Sequence, residues 1–244
     1  MGGDDQRPEP PARVYGNRFA GEGPSAVDRC DCFAGPGRPV ELHTDRQDTS
    51  APGWLRLLEL VEEAAADGRE VFRPLTELAP DERRQIVTLP PTIAKLTEVR
   101  HFLLYGSNLV RIPPEIGAMA SLEQFDPYTS YRLHWFPYEI TRCAGLRDST
   151  VSTRALYGNF KYRPPFPRVS RRPQPVPAGR RCSVCDTELA DGRALWGWVS
   201  RQVATDVLPL LVQACSAACL DAVPGPVHLG GPVDPETGQG QTRQ

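Results

Sequence analysis

Apolar residues recur along the middle of the chain with a period of 23 to 24 residues, and each period begins with a short proline-containing motif. The motif occurs at Leu89-Pro90-Pro91, Ile112-Pro113-Pro114 and Phe136-Pro137-Tyr138. The apolar positions that follow it share one template, occupied by Ile93, Leu96, Val99, Phe102 and Leu104, then Ile116, Met119, Leu122 and Phe125, then Ile140, Cys143, Leu146 and Val151. An internal period of this length is typical of stacked repeats.

Each unit is predicted to contain one short strand and one short helical turn. Alternation along the first strand places Phe102 and Leu104 inward, and it places His101, Leu103 and Tyr105 outward. The apolar residues spaced three apart after each proline motif indicate a 3₁₀ or helical turn on the other side of the same core. Because one unit cannot bury its apolar face alone, we expect neighbouring units to stack.

The pattern before the repeats predicts an amphipathic helix that caps the open end of this core. Its apolar residues recur at helical spacing, at Trp54, Leu55, Leu58 and Val61. Asp67-Gly68 is expected to end the helix. An irregular first unit is expected over 71–78, followed by an acidic helix start over 80–84.

The units resemble those of leucine-rich repeat proteins, whose consensus runs L-P-x-x-I-x-x-L-x-x-L-x-x-L-x-L-x-x-N-x-L. The unit from Leu89 to Leu109 matches it almost position for position, with Ser107 in the asparagine slot. Later units depart from it, because Pro127 occupies a strand position and Ser149 replaces an inward leucine. The resemblance implies an α/β fold over 51–168, a short solenoid of about three repeats plus caps.

Four cysteines beyond the repeats are spaced as metal ligands. They form Cys182-x-x-Cys185, 29 intervening residues, and Cys215-x-x-x-Cys219. Four thiolates can meet in the tetrahedron that structural zinc (Zn²⁺) prefers. Two disulfides are the alternative. Zinc is favoured because the start of the chain does not resemble a signal peptide, and a cytoplasmic chain keeps its thiols reduced.

Strand-like runs over 194–199 and 207–212 separate the two cysteine pairs and predict a hairpin. A helix start follows at Cys215, with Ser216 able to cap it. A cysteine-pair turn, a hairpin and a short helix together resemble a treble-clef zinc finger. The resemblance implies a small metal-binding domain over 181–225 with a closed, structural site.

Composition argues against several functional classes. The net charge is −2, and no apolar run has the length of a membrane span. No P-loop or dinucleotide fingerprint occurs, and the four histidines, His43, His101, His134 and His228, lie in no motif with a nucleophile. We therefore expect no enzymatic activity and a cytoplasmic location. Arginine outnumbers lysine 26 to 2, a bias that suits a GC-rich bacterial genome.

Basic residues dominate one stretch despite the near-neutral total. No acidic residue occurs from Arg154 to Cys185, where the basic residues are Arg154, Lys161, Arg163, Arg168, Arg171, Arg172, Arg180 and Arg181. Tyr157, Phe160, Tyr162 and Phe166 are interleaved with them. The favoured interpretation is a cap for the last repeat, followed by a proline-rich linker over 169–180. Contact with nucleic acid or with an acidic protein partner is the alternative.

Both ends of the chain are rich in glycine, proline and charge. We expect disorder over 1–50 and in a tail over 226–244. Cys30 and Cys32 with His43 form only a weak metal motif, and an incidental pair of thiols is favoured. His228 could replace one cysteine at the zinc, although four cysteines already complete the site.

The remaining expectation is recognition of a partner by the outward strand positions. Successive repeats would line one concave surface with His101, Leu103, Tyr105, Gln124, Asp126, Tyr128, Asp148, Thr150 and Ser152. Leucine-rich repeat proteins usually bind other proteins on this surface, and exposed tyrosines suit that role. The predicted function is therefore protein binding. Nucleic-acid association through the Arg154–Arg181 stretch and the zinc domain is the alternative, and a redox or metal-sensing role is a third hypothesis.

Overall fold

The computed structural model describes residues 40, 42–164, 179–189 and 194–225. Within these ranges the α-helices are α1 (Pro52–Ala66), α2 (Pro80–Arg84), α3 (Arg154–Tyr157) and α4 (Ala217–Asp221). The strands are β1 (Val71–Phe72), β2 (His101–Leu103), β3 (Gln124–Asp126), β4 (Phe136–Pro137), β5 (Asp148–Ser149), β6 (Leu195–Val203) and β7 (Asp206–Ala214). Short 3₁₀ turns occupy Pro74–Thr76, Pro91–Lys95, Pro114–Ala118 and Tyr138–Arg142.

Helix α1 covers one end of the core, but its buried stripe is rotated from the one expected. The residues that it buries include Trp54, Leu57, Leu60 and Val61. Leu55 is 50% exposed, so it does not belong to the core face. The helix packs closely on α2, since a Cβ at Gly53 would lie 2.4 Å from the Glu82 carbonyl oxygen.

Four strands form a parallel sheet in the order β1-β2-β3-β5. The register pairs His101 with Gln124 and Gln124 with Asp148, so that each strand is displaced by one sequence repeat. The buried phenylalanines of successive units touch in series. Their ring centroids are 5.7 Å apart for Phe72 and Phe102, and 6.1 Å apart for Phe102 and Phe125. This aromatic series ties the units together through the core.

The 3₁₀ turns stack on the opposite side of the core and repeat one hydrogen-bonding scheme. Leu96, Met119 and Cys143 each donate a backbone N–H to the carbonyl three residues earlier. Cys143 is fully buried, as the apolar template predicts, and burial raises the pKa of its thiol to about 11. Its thiol is therefore protonated and packs as a small apolar side chain.

The phenylalanine series and the stacked turns agree with the units that the apolar template predicts. Assignment of these units to a leucine-rich repeat solenoid stays a prediction. Within the described ranges, none of the helices combines the length and the apolar character needed to cross a membrane.

A second sheet connects the repeats to the cysteine-rich region. Its order is β4-β7-β6, and β6 and β7 form a long antiparallel hairpin around Ala204 and Thr205. The predicted hairpin is present and longer than expected. Strand β4 pairs in parallel with β7, with Phe136 opposite Leu210 and Pro137 opposite Leu211. One cluster of buried apolar residues accordingly runs from α1 to Val223, with no break between the ranges 51–168 and 181–225.

Ser149 shows why the third unit departs from the repeat template. Its hydroxyl donates to the carbonyl oxygen of Val203 at the end of β6, 3.3 Å away. Nearby, the carboxylate of Asp206 accepts the backbone N–H of Val151 at 2.9 Å and forms an ion pair with Arg154. The hairpin therefore covers the last unit through polar contacts, which an inward leucine could not make.

Residues 42–50, which fall within the N-terminal segment expected to be disordered, lie against the folded body. The amide of Gln47 donates to the Gln85 carbonyl at 3.0 Å and accepts the Val87 N–H at 2.9 Å. Leu42 is buried and packs with Trp198 and Leu211 on the outer face of the second sheet. Long-range contacts of this kind leave no periodic signal in the segment itself.

We expect Leu104→Ala to lower the free energy of unfolding by about 2–5 kcal/mol, because it leaves a cavity at a fully buried position. The matched control is Leu55→Ala, which should change it by less than about 0.5 kcal/mol, since that side chain is half exposed, near the start of α1. Urea denaturation followed by circular dichroism measures both. Equal effects of the two substitutions would contradict the inward orientation of the strand residue.

Candidate metal centre

Four cysteine side chains meet beside the end of β7, at the edge of the second sheet. The Sγ atoms of Cys182, Cys185, Cys215 and Cys219 all lie within 4.8 Å of one another. These are the four residues that the spacing predicts, and among the described residues they form the one group of ligands suited to a metal ion.

The first pair lies on a tight turn that the backbone closes by itself. Cys182 donates its N–H to the Thr187 carbonyl at 2.7 Å, and Asp186 donates to the Cys182 carbonyl at 3.0 Å. Asp186 adopts a φ of 62°, in the left-handed region that aspartate tolerates better than most residues. The turn therefore directs both thiols to the same side.

The second pair is placed by the end of β7 and the start of α4. Ser216 caps the helix, because its hydroxyl accepts the N–H of Cys219 at 3.3 Å. Cys215 precedes the cap and Cys219 lies one helical turn later, which brings their Sγ atoms to 3.6 Å. The serine that the sequence singled out as a cap has that role.

The sulfur separations fit metal coordination. A tetrahedron with metal–sulfur bonds of about 2.3 Å has sulfur atoms about 3.8 Å apart. The Cys185 and Cys215 Sγ atoms are 3.5 Å apart, far longer than the roughly 2.05 Å of a disulfide bond. All four cysteines are free thiols in the structure. The backbone N–H of Cys215 also points at the Cys182 sulfur at 3.4 Å, an orientation that stabilises a thiolate.

Exposure and acidity differ among the four thiols. Cys182 is buried, whereas Cys185 and Cys215 face solvent. Hydrogen bonding to Thr187 lowers the pKa of Cys185 to about 6, and hydrogen bonding to Cys185 raises the pKa of Cys215 to about 12. Cys185 is therefore mostly thiolate near neutral pH, whereas a bound cation would have to displace the proton of Cys215. The site can hold a metal ion with four sulfur ligands.

A buried polar network joins this centre to the repeats. Ser183, inside the first cysteine turn, donates its hydroxyl to the Glu139 carboxylate at 3.0 Å and accepts the Gln213 N–H at 3.1 Å. Its backbone N–H donates to the Gln213 carbonyl at 2.8 Å. Arg180 lies 3.8 Å from the same carboxylate, and burial lowers the pKa of this arginine while the charge of Glu139 opposes that effect.

None of this network follows from the sequence. Glu139 takes the place in the third unit that Glu115 holds in the second, where a glutamate on a 3₁₀ turn would be expected to face solvent. It is buried because the cysteine turn covers it. The only local signal is the serine between the two first cysteines, a residue type that commonly satisfies buried groups.

The outward strand positions predicted to bind a partner form rows across the first sheet. His101, Gln124 and Asp148 make one row, and Leu103 and Asp126 make the next. Their accessibility differs within each row. The intermediate or exposed members are His101, Leu103, Tyr105, Tyr128, Asp148, Thr150 and Ser152, whereas Gln124 and Asp126 are buried.

Two of these polar side chains have roles inside the fold. The Asp126 carboxylate accepts the Tyr128 N–H at 3.2 Å, and the Ser152 hydroxyl accepts the Thr129 N–H at 2.8 Å. They shape the loop that carries Tyr128. The accessible positions therefore lie on β2, on and after β5, and at the two tyrosines, whereas those on β3 are buried.

Several other predicted residues lie outside the described part of the chain. These are Cys30, Cys32, His228 and the arginines of the basic stretch at Arg168, Arg171 and Arg172. His43 is described, and its ring lies 5.0 Å from that of His134; it is not a member of the four-cysteine cluster.

Comparison with models of known protein families finds no match to this chain, and no curated protein matches it in sequence. The geometry of the site and of the surrounding surface is therefore what indicates a function.

We expect removal of the metal to weaken the fold beyond the cysteine region. Because β7 pairs with β4 and Ser183 contacts Glu139, chelation should speed amide hydrogen exchange in residues 136–142 as well as in 180–189 and 206–221. Exchange in α1 should change least. Mass spectrometry of exchanged peptides measures this.

The matched variants are Cys215→Ser, which should reproduce the chelated pattern, and Ser200→Ala on the exposed side of β6, which should not. Faster exchange confined to 180–189 and 215–221 would show that the centre is independent of the repeats.

Proposed function

We propose that this protein is a non-enzymatic, cytoplasmic interaction module. In this proposal a short leucine-rich repeat solenoid recognises a protein partner through the outward face of its parallel sheet. A treble-clef-like element with a structural Zn²⁺ held by Cys182, Cys185, Cys215 and Cys219 closes the far end of the core. The observation that supports the proposal is the pair of accessible tyrosines, Tyr105 and Tyr128, side by side on the loops that follow β2 and β3.

The two tyrosines are the most suitable anchors on that face. Tyr105 and Tyr128 occupy corresponding positions in successive units, and their rings are 5.9 Å apart. Tyr128 is 39% exposed, among the most exposed large apolar side chains in the described ranges. Paired aromatic rings with a polar edge bury a large area at low entropic cost, which is why tyrosine is enriched at binding hot spots.

Polar residues surround the tyrosines and would supply specificity. His101 and Asp148 lie at the end of the face where Glu123 joins Arg100 and Arg147 in ion pairs. Three strands at a spacing of about 4.8 Å give a face only about 10–15 Å wide. A face of this width supports a single compact patch rather than an enveloping interface.

The donor set supports zinc among the possible metals. Four thiolates in a tetrahedral arrangement favour Zn²⁺ or an iron–sulfur site, because soft sulfur ligands disfavour Mg²⁺ and Ca²⁺. All four positions of a tetrahedral ion are taken by protein, so the site has no place for a substrate or an activated water. Zinc would hold the turn, the hairpin and α4 together, with no redox change of its own.

We expect one Zn²⁺ per chain in protein purified under reducing conditions without chelator. Inductively coupled plasma mass spectrometry measures the content, and Cys215→Ser should lose the metal while Cys143→Ala keeps it. Iron in a stoichiometric amount would mean that the four cysteines bind iron and not zinc. Metal-free protein with Cys182, Cys185, Cys215 and Cys219 in disulfides would contradict both the zinc site and the cytoplasmic location.

We expect a protein partner to depend on the tyrosine pair. A photo-crosslinking amino acid at position 105 or 128 should capture one protein in cells that the same group at the exposed position 59 of α1 does not. Tyr105→Ser with Tyr128→Ser should weaken binding of that protein by about tenfold or more. Tyr162→Ser, a substitution of an exposed tyrosine on another surface, is the matched control. Equal loss in both variants, or equal capture from position 59, would contradict the proposed face.

A further inference from the structure

A second exposed surface lies at the junction between the last repeat and the hairpin. It is a turn over residues 159–163, which we call the aromatic turn. Phe160 is 50% exposed and Tyr162 is 69% exposed. Lys161 and Arg163 alternate with them in the sequence. Two accessible rings and two cations within four residues are unusual on a folded surface, where large apolar side chains are mostly covered.

The aromatic turn is held in one conformation. The side-chain oxygen of Asn159 accepts the backbone N–H groups of Lys161 at 2.9 Å and Tyr162 at 3.1 Å. The backbone N–H of Asn159 donates to the Tyr162 carbonyl at 2.8 Å. Gly158 precedes it with a φ of 79°, and a Cβ there would lie 2.1 Å from the Tyr162 carbonyl oxygen. Only glycine fits this close approach.

The turn is also fixed to the rest of the molecule. Phe160 donates its N–H to the Thr205 carbonyl at 3.1 Å, and Asn159 forms a β-bridge with Asp206. Asp206 in turn is buried and paired with Arg154. The exposed rings are therefore presented by a rigid base, which lowers the entropy lost when they contact a ligand.

The charges at the turn are available to a ligand. Lys161 lies 5.4 Å from the centre of the Phe160 ring, and the Arg163 guanidinium donates to the Gln202 side chain at 2.8 Å. Neither cation has a carboxylate partner in the part of the chain that the structure describes. Asp206, which forms a β-bridge with Asn159, pairs with Arg154. The turn itself therefore contributes two positive charges, although the whole chain carries a net charge of −2.

We propose that the aromatic turn binds single-stranded nucleic acid, with Phe160 and Tyr162 stacking on unpaired bases and Lys161 and Arg163 contacting the adjoining phosphates. The alternation of ring and cation corresponds to the alternation of base and phosphate along a strand. An acidic peptide would pair with the two cations but would leave both exposed rings without a contact. Membrane surfaces are typically bound by an amphipathic helix with an extended apolar face, whereas residues 159–163 form a short turn.

This inference is independent of the proposed protein-binding face. The aromatic turn belongs to the segment after α3, whereas Tyr105 and Tyr128 lie on the loops that follow β2 and β3. Substitutions at one surface therefore serve as controls for the other, and failure of one proposal leaves the other standing.

The test measures fluorescence anisotropy of the full-length protein with a labelled oligothymidine of about 15 nucleotides at low salt. We expect Phe160→Ala with Tyr162→Ala to weaken binding by about tenfold or more, because each lost stacking contact removes affinity. Phe160→Tyr with Tyr162→Phe should bind like the parent, since it keeps both rings. Tyr128→Ala should also bind like the parent. Circular dichroism melting checks that each variant is folded.

Two further probes separate base stacking from simple charge attraction. A strand of the same length without bases should bind about tenfold more weakly than oligothymidine, and the same strand annealed to its complement should also bind more weakly. Lys161→Ala should reduce the slope of log affinity against log salt by about 0.7, the value for one contact to a single-stranded phosphate.

Three results would overturn the proposal. One is equal binding of the strands with and without bases. Another is parent-like affinity of the Phe160→Ala, Tyr162→Ala variant. The third is no binding of oligothymidine at low salt, including the case in which the protein binds anionic phosphatidylserine vesicles instead.

Discussion

The parallel pairing of β4 with β7 is the interaction on which the rest of this molecule depends. A stack of parallel units leaves an apolar end that must be covered, and here the cover comes from a hairpin far along the chain. Phe136 and Pro137 offer only two residues for pairing, opposite Leu210 and Leu211. So short a contact holds because the hairpin has further contacts with the repeats. Two of them are Asp206 against Val151 and Gln213 against Ser183, whose hydroxyl reaches Glu139.

Both of those contacts involve a buried carboxylate that already has a cationic neighbour. Glu139 lies near Arg180, and Asp206 pairs with Arg154. A buried ion pair adds little net stability, because the desolvation of its charges offsets their attraction. Removing only one of the two charged partners is costly, since the charge that remains buried then has no partner. A placement of the hairpin that moved Asp206 away from Arg154 would leave a buried carboxylate without its cation and would be disfavoured for that reason.

The parts of the structure that follow from local pattern were accessible from the sequence. Phe102 and Leu104 fall on the apolar template of the repeats, the four cysteines have ligand spacing, and Ser216 precedes a helix start, so each could be interpreted from the sequence pattern. The pairing of β4 with β7 could not, because two residues carry no strand signal. Leu55 was assigned to the wrong face of α1, since its apolar character alone does not reveal that the stripe is centred on Leu57 and Leu60. Glu139 has the same local setting as the half-exposed Glu115, and only the turn from Cys182 to Cys185, folded over it, makes the difference.

The separation of β4 from β7 along the chain also sets the order in which the protein can complete its core during synthesis. Pro137 and Leu211 are opposite one another in the sheet but 74 residues apart in the sequence (211 − 137). At about 5–20 residues per second, a ribosome needs roughly 4–15 s to make that intervening stretch. The earlier units can stack as they emerge, while Phe136 and the apolar end of the last unit lack their cover throughout this interval. The nascent chain thus passes through a stage in which apolar side chains at this end are accessible to other chains, and the arrival of the hairpin ends it.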